Sequence, residues 1–334
     1  MLGPRVSFHT ILPNQIGWST SVCAHMFHIF TIDNACPVKH TGIMRKLSTE
    51  KRAAILAALV EGSSINATAR MVGASKVTVL RLLADAGTFC AQYHDLFVRG
   101  LQSKRVQLDE IWAFCGCKDK AKDAGAGGFG SVWTWTALDA DSKLCVSYLV
   151  GLRDGGYATE FVKDVAGRID SRIQVTSDGH KPYVEAVEAA FQGDVDYAML
   201  VKHYGSDPEG QRRYSPAVCT GCTKNVKAGT PDPDHISTSY VERANLTMRM
   251  SMRRFTRLTN GFSKKIENHE HAVALHFFHY NWIRKHQTLK TTPAVAAGIA
   301  NRPMTLLELV GMIEAEEKKL GGRLTDYLPS PESK

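Results

Sequence analysis

The sequence predicts an α/β protein in which a small all-α domain precedes one mixed β-sheet with flanking helices. Three observations carry this prediction. Helix-capping residues and apolar helical faces fill residues 48–84, short apolar runs typical of strands begin at residue 105, and helical stretches alternate with the later strands. Strands first, then strand–helix alternation, indicate a single mixed sheet.

The all-α part is predicted from its caps. Ser48, Ser64 and Ser75 each precede an apolar helical pattern, and Gly73 stands where a turn needs a positive φ. These signals predict three helices, the third ending near Ala84, followed by a linking helix and connector over 88–104.

The apolar runs that predict strands cover 106–114, 132–138, 144–150, 173–177 and 197–203. Helical patterns cover 159–168, 181–191, 268–286 and 304–319, and a long basic helix begins near Ser239. We therefore expect five segments: a poorly ordered or non-native extension (1–43), an all-α domain (44–87), a linker helix (88–104), the α/β domain (105–300), and a C-terminal helix and tail (301–334).

Charge and cysteine content narrow the class of protein. The 334 residues carry a net charge of +8, and residues 243–265 contain seven basic side chains and no acidic one, a pattern typical of binding to a polyanion. Eight scattered cysteines and the absence of a signal-peptide or membrane-spanning pattern predict reduced thiols and a cytoplasmic, nucleoid-associated location.

The spacing of Ala69, Gly73 and Val79 is typical of a helix-turn-helix, in which a small residue, a turn glycine and an apolar residue let two helices cross closely. Its third helix would reach DNA through outward-facing side chains, namely Ser75, Lys76, Thr78 and Arg81. The alternative is a three-helix packing unit without a DNA role.

Three acidic residues stand where a fold of this kind would gather them. Asp109 lies inside an apolar strand, where a carboxylate is costly unless paired, protonated or metal-bound. Asp178 follows a strand and precedes Gly179, and Glu242 lies in the first turn of the basic helix. Each has a structural alternative: a fold-stabilising hydrogen bond, a simple turn, and a helix-dipole partner.

Together the three carboxylates suit two-metal phosphoryl transfer. Such chemistry needs two divalent cations, Mg²⁺ or Mn²⁺, and Mg²⁺ takes one or two carboxylates per ion. Asn245, Arg249 and Arg253 follow Glu242 at +3, +7 and +11, so we expect them on its helix face, where with Arg243 they would bind DNA. The opposite face should pack in the core through Val241, Ala244, Met248, Met252 and Phe255.

The runs 108–114 (LDEIWAF), 177–179 (SDG) and 237–249 (STSYVERANLTMR) resemble the transposases of the insertion-sequence-one family. The similarity extends over about 44–300, in the family's motif order. It implies an RNase H-like catalytic domain with Asp109, Asp178 and Glu242 as acidic triad and metal ligands, and a phosphate contact for Arg249. It departs from the family in lacking a zinc element before the helix-turn-helix.

The predicted function is therefore a DNA transposase that binds element ends and target as double-stranded DNA, as a homodimer or higher assembly. Two alternatives remain open: a catalytically silent DNA-binding regulator, and a metal-dependent nuclease or resolvase of the same fold. Should the triad fail, Asp119, Asp139 and Asp141 are the next candidates. Four cysteines, Cys115, Cys117, Cys219 and Cys222, form a weak zinc pattern, and free thiols are the favoured interpretation.

Overall fold

The computed structural model describes residues 46–123, 129–205, 219–256 and 259–327, and those up to Asp326 belong to one compact unit. The predicted extension 1–43 and the end of the chain after 327 lie outside these residues. The helices are α1 Thr49–Val60, α2 Ile65–Val72, α3 Lys76–Phe97, α4 Asp119–Asp123, α5 Gly155–Ala166, α6 Pro182–Phe191, α7 Ser239–Ser251, α8 Ile266–Phe278, α9 Pro293–Ala296 and α10 Leu306–Leu320. The strands are β1 Arg105–Cys115, β2 Gly130–Asp139, β3 Cys145–Gly151, β4 Ile173–Ser177, β5 Val195–Tyr204 and β6 Cys219–Ala228.

The first three helices begin at the predicted serines. The hydroxyls of Ser48, Ser64 and Ser75 each accept a hydrogen bond from the backbone N–H three residues later, which satisfies a donor that the helix leaves free. Gly73 ends α2 in the left-handed conformation (φ 58°), as its place in the sequence predicts. The short α2–α3 turn is therefore dictated locally by Gly73 and Ser75.

Helix α3 differs from its prediction. It runs without interruption for 22 residues through Ala84, so the predicted third helix and most of the predicted linker helix are one element. The stretch after Ala84 contains no proline, and Gly87 serves packing rather than termination. A Cβ atom on Gly87 would lie 2.4 Å from the Cα atom of His271 on α8, so only glycine permits this approach of the two helices.

One mixed sheet forms the centre of the α/β part. Its strand order is β3-β2-β1-β4-β5-β6; β1 and β4 are parallel, as are β4 and β5, and the other pairs are antiparallel. The five predicted strands are confirmed, β4 to the residue and the others to within two residues at each end.

Strand alternation gives β1 two different faces. One face carries Leu108 into a core shared with α5 and α6, whose largest buried members include Trp135, Phe161 and Tyr183. The other carries Ile111 into a core formed with α7, which contains the five predicted apolar residues of that helix region, Val241, Ala244, Met248, Met252 and Phe255. By this alternation Asp109 belongs to the α7 face and Glu110 to the α6 face.

Two further predictions from sequence are wrong. The segment around Cys219 and Cys222, which is absent from the five predicted strands, is the edge strand β6; its residues are mostly exposed, so the apolar pattern that reveals a buried strand is missing. The basic helix α7 ends at Ser251, because Met252 takes an extended conformation (φ −127°, ψ 110°). Arg253 therefore lies in a separate 3₁₀ turn, Arg253–Phe255, and does not share the helix face of Glu242.

Candidate functional site

The three acidic residues singled out in the sequence line one open cleft of about 790 Å³. Asp109 comes from the middle of β1, Asp178 from the residue after β4, and Glu242 from the first turn of α7. Because β1 and β4 are parallel neighbours and α7 packs against β1, side chains from distant parts of the chain reach the same place. Basic side chains also line the cleft: Arg153, Lys181, Lys202 and Arg249.

Asp109 faces α7. Its Oδ2 accepts a hydrogen bond from the side-chain amide of Asn245 at 2.8 Å. Burial raises the pKa of Asp109 to about 6, and the nearby Asp178 and Glu242 carboxylates raise it as well, whereas the Asn245 hydrogen bond lowers it. The charged form of Asp109 is thus less favourable than that of an exposed aspartate, and a bound cation would favour it.

Asp178 is held by a short turn at the end of β4. Its Oδ1 accepts a hydrogen bond from the backbone N–H of His180 at 3.0 Å, and its Oδ2 lies 3.4 Å from the Arg153 guanidinium. The carboxylate is about one-third exposed, so it faces both the cleft and solvent. The predicted convergence of Asp109 and Asp178 is present in the structure.

Glu110 belongs to the same group of carboxylates, although the sequence analysis did not single it out. One oxygen each from Asp109, Glu110 and Asp178 lie within 4.8 Å of one another, and among the residues that the structure describes they form the one group of three or more potential ligands placed to share a metal ion. The Glu110 Oε2 atom is 3.3 Å from the Arg153 guanidinium. Burial and then the Asp178 carboxylate raise the pKa of Glu110 to about 8, although Arg153 lowers it.

The signal for Glu110 was present in the sequence as the acid directly after Asp109. Strand alternation places neighbouring residues on opposite faces, so the pair does not look like a shared site. One oxygen of each side chain nevertheless lies within 4.8 Å of the other and of an oxygen of Asp178, which follows the end of β4.

Glu242 lines the cleft but is not part of this close group. Its Oε1 accepts hydrogen bonds from the Thr238 hydroxyl at 2.5 Å and from the Lys202 ammonium. Lys202 comes from β5, and Asp109 also contributes to raising the pKa of Lys202. The Lys202 ammonium is therefore bonded to Glu242 and is near enough to Asp109 to interact with its charge.

The predicted DNA-contacting residues of the α7 region occupy different environments. Arg249 lines the cleft, Arg243 is exposed outside its lining, and Asn245 is buried against Asp109. Arg253 lies instead at a second cavity of about 380 Å³, together with Lys76 of α3.

On α3, Lys76 and Arg81 are exposed. Ser75 and Thr78 are partly engaged with each other, because the Ser75 hydroxyl accepts from the Thr78 N–H at 3.0 Å and lies 2.8 Å from the Thr78 hydroxyl. The two basic side chains are the better placed of the four for contact with a partner.

The next candidates for the triad, Asp119, Asp139 and Asp141, each have a local hydrogen-bond or ion-pair partner that explains the acidic side chain. Asp119 accepts hydrogen bonds from Ser131, Asp139 accepts from the backbone of the following turn, and Asp141 pairs with Arg105.

The cysteine pattern does not come together as a metal site in the described part of the chain, where Cys115 is buried and Cys219 and Cys222 are exposed on β6. Burial raises the pKa of Cys115 to about 11, which keeps it a thiol.

No protein-family model and no curated protein matches the chain. Among solved structures, the cryo-EM structure of a piggyBac transposase synaptic complex with hairpin DNA is similar with a TM-score of 0.33 and 11% sequence identity, over 86% of this chain and 77% of that one. A likeness at this level supports no assignment of family or function. None of the described helices combines the length and apolar character needed to cross a bilayer.

Proposed function

We propose that this protein is a DNA transposase whose catalytic residues are Asp109, Asp178 and Glu242. One observation carries the proposal: three carboxylates from a central strand, a neighbouring strand end and a helix start line a single open cleft that also contains Arg249 and Lys202. An RNase H-like catalytic domain over 105–300 is part of the proposal, supported by the mixed sheet with helices on both faces.

The donor set fits Mg²⁺ or Mn²⁺, since these ions prefer oxygen ligands and the buried carboxylates lack enough cationic partners of their own. Two bound ions would supply activation of the attacking oxygen and stabilisation of the leaving oxygen. Asp109, Asp178 and Glu242 would hold them, which requires the Lys202 ammonium to release Glu242 or share it.

The surrounding residues orient these ligands. The Asn245 amide fixes Asp109 at Oδ2, the His180 N–H fixes Asp178 at Oδ1, and the Thr238 hydroxyl fixes Glu242 at Oε1. Hydrogen bonds of this kind hold carboxylates in one orientation before substrate arrives. Arg249 at the cleft wall is suited to a DNA phosphate, because its guanidinium can donate two parallel hydrogen bonds.

The proposed reaction has two steps at one centre. Water attacks a phosphodiester phosphorus and displaces the 3′-oxygen, which leaves as a 3′-hydroxyl at the element end. That hydroxyl then attacks a phosphorus of the target DNA and displaces a second 3′-oxygen, so one bond forms for each bond broken. Two element ends must be held together, so we propose a homodimer or higher assembly on double-stranded DNA.

Alanine variants of Asp109, Asp178 and Glu242 test the chemistry. Purified protein is incubated with Mg²⁺ and labelled DNA that carries the element's own flanking ends. We expect each variant to lose cleavage and strand transfer together by about a thousandfold, equivalent to roughly 4 kcal/mol of transition-state stabilisation. Glu185→Ala, at an exposed carboxylate of α6, is the matched control and should keep full activity.

Three results would contradict the proposal. Wild-type protein that binds the ends but does not cut them is a regulator, and wild-type protein that cuts without joining is a nuclease. Cleavage that survives loss of any of the three carboxylates removes that residue from the triad.

We further propose that residues 44–87 are a helix-turn-helix DNA-binding domain, with α3 reading DNA. The exposed Lys76 and Arg81 support this role. Replacing both with alanine should weaken binding to element ends and reduce the slope of log K against log salt by about two, since two phosphate contacts are lost. Lys318→Ala, an exposed lysine of α10, is the control; equal slopes for both variants would refute the assignment.

A further inference from the structure

Glu110 is a buried acidic residue that is not part of the proposed triad. Its side chain is 1% exposed, although it lies next to two other carboxylates. Burying a carboxylate costs several kcal/mol unless a charge or several hydrogen bonds compensate. A residue with only a structural role at this position would be expected to have all its oxygens engaged.

The compensation that Glu110 receives is incomplete. Arg153 is the cation in contact with it, and the same Arg153 guanidinium also serves Asp178. Both contacts are long, 3.3 Å and 3.4 Å, and Arg153 stacks on the Trp133 ring as well, 4.9 Å from its centroid. One guanidinium is thus shared between two carboxylates of this group of three.

One oxygen of Glu110 is left over. Oε1 is buried and has no hydrogen-bond partner among the described residues. Tyr183 lies close enough to Glu110 for its hydroxyl to lower the pKa of that carboxyl, although neither Oε1 nor the hydroxyl meets hydrogen-bond geometry with a described residue. A buried acceptor without a partner is rare, and a bound ion would account for one that lies beside two other carboxylates.

We propose that Glu110 is a third protein ligand of the divalent ion held by Asp109 and Asp178. The inference rests on the proposed metal chemistry of the cleft and adds a residue to it. Oxygens around a Mg²⁺ ion with bonds of 2.0–2.1 Å are separated by up to about 4.2 Å, so a group already within 4.8 Å needs only small side-chain movements to bind one. Arg153 contacts Oε2, which leaves Oε1 for the ion.

The arrangement separates two roles among the acids of the cleft. Asp109, Glu110 and Asp178 form one ion site, and Glu242, which lies outside that group and is bonded to Lys202 and Thr238, is left to serve the second ion. Glu110→Gln keeps the shape of the side chain but replaces one carboxylate oxygen with an amide, so it tests ligation without opening a cavity.

The test measures Mn²⁺ binding to full-length protein without DNA, by the electron paramagnetic resonance signal of free Mn²⁺ and by titration calorimetry. We expect Glu110→Gln to weaken the tighter Mn²⁺ site by about tenfold or more, since loss even of a residue that only orients a metal ligand costs that much. Asp109→Asn should weaken the same site, and Glu185→Gln on α6 should bind like wild type.

Glu110→Asp covers the case in which the glutamine variant does not fold. It keeps the charge but withdraws the carboxylate by one methylene, so Mn²⁺ affinity should fall while the melting transition stays cooperative. Wild-type Mn²⁺ affinity in either folded variant would overturn the inference, as would wild-type protein that binds no Mn²⁺.

DNA cleavage separates the fate of this inference from that of the proposed function. Mn²⁺ binding that depends on Glu110, in a wild-type protein that never cuts DNA, supports the ion site and refutes the transposase. DNA cleavage by a protein whose Mn²⁺ affinity does not depend on Glu110 supports the transposase and refutes the role of Glu110 in the ion site.

Discussion

Two clusters of buried charge in this molecule follow opposite rules. Where α1 meets α10, the Arg52 side chain, 6% exposed, is bonded to Glu314 and Glu317 at 2.6–3.1 Å. In the cleft, three carboxylates lie close together, and one arginine makes long contacts with two of them. The first cluster matches each charge with a close opposite charge, whereas the second gathers like charges.

The difference indicates that one cluster stabilises the fold and that the other binds a ligand. A matched buried ion pair, once formed, is costly to break, because removal of one partner leaves the other buried without an opposite charge. Like charges held together are unfavourable in the metal-free protein and become favourable when a cation binds. Clustered, perturbed carboxylates in a cleft therefore indicate a binding site, while the α1–α10 pair indicates attachment of the first helices to the rest of the protein.

The largest expected effect tests the matched cluster. Arg52→Met removes the cation and leaves two glutamates facing an apolar side chain, so the free energy of unfolding should fall by about 3 kcal/mol or more. Urea denaturation measures it. Arg302→Ala is the control, because the Arg302–Glu308 pair is exposed and worth under about 1 kcal/mol. A similar loss of unfolding free energy in both variants would show that the α1–α10 cluster contributes no more to stability than an exposed ion pair.

The next effect tests the like-charged cluster. Mn²⁺ at a hundred times its dissociation constant should stabilise the wild-type protein by about 2.7 kcal/mol. Asp109→Asn should remove most of that gain and, without metal, unfold at a temperature no lower than wild type, since one repelling carboxylate is gone. Thermal melts with and without Mn²⁺ give both numbers. Destabilisation of the metal-free variant resembling that of Arg52→Met would show that Asp109 is structural.

A smaller effect concerns a buried group that carries no charge at all. His94 is buried, its Nε2 atom lies 3.1 Å from the Val146 carbonyl oxygen, and burial together with nearby Arg168 lowers its pKa to about 3. In the unfolded chain this residue takes up a proton with a pKa near 6.5, whereas in the folded protein it stays neutral until the pH approaches 3. Stability from this source is therefore complete above pH 6.5 and is lost as the pH falls toward 3.

His94→Gln tests that third arrangement. At pH 5 the histidine should cost the wild-type protein about 2 kcal/mol relative to pH 7, from 1.36 kcal/mol per unit. The glutamine variant should show a shallower decline between pH 7 and pH 5, measured by urea denaturation. Parallel declines would mean that His94 is protonated in the folded protein.

Local chemistry explains what the sequence could predict. The serine caps, the turn at Gly73 and strand β4 depend on neighbouring residues, and they appear where they were expected. The convergence of Asp109, Asp178 and Glu242 on one cleft followed from placing each at a central strand, a strand end and a helix start.

The features that the sequence did not predict depend on tertiary contacts or on exposed segments. Glu110 joins the group of carboxylates through its closeness to Asp178, which comes from a different strand, so no local pattern encodes it. Strand β6 is an exposed edge and has no apolar alternation to detect. Arg253 leaves the face of Glu242 because the chain extends at Met252, a residue whose side chain packs in the core.

The uninterrupted α3 has a consequence for the spacing of DNA sites. At 1.5 Å per residue its 22 residues span roughly 33 Å, and the close approach at Gly87 fixes it against α8. On the proposed function, the helix that reads DNA is thus the first part of a rigid rod rather than a module on a tether. The distance between the sequence that is read and the bond that is cut is then set by the protein, and a substrate with another spacing must twist or bend its own duplex to be cut.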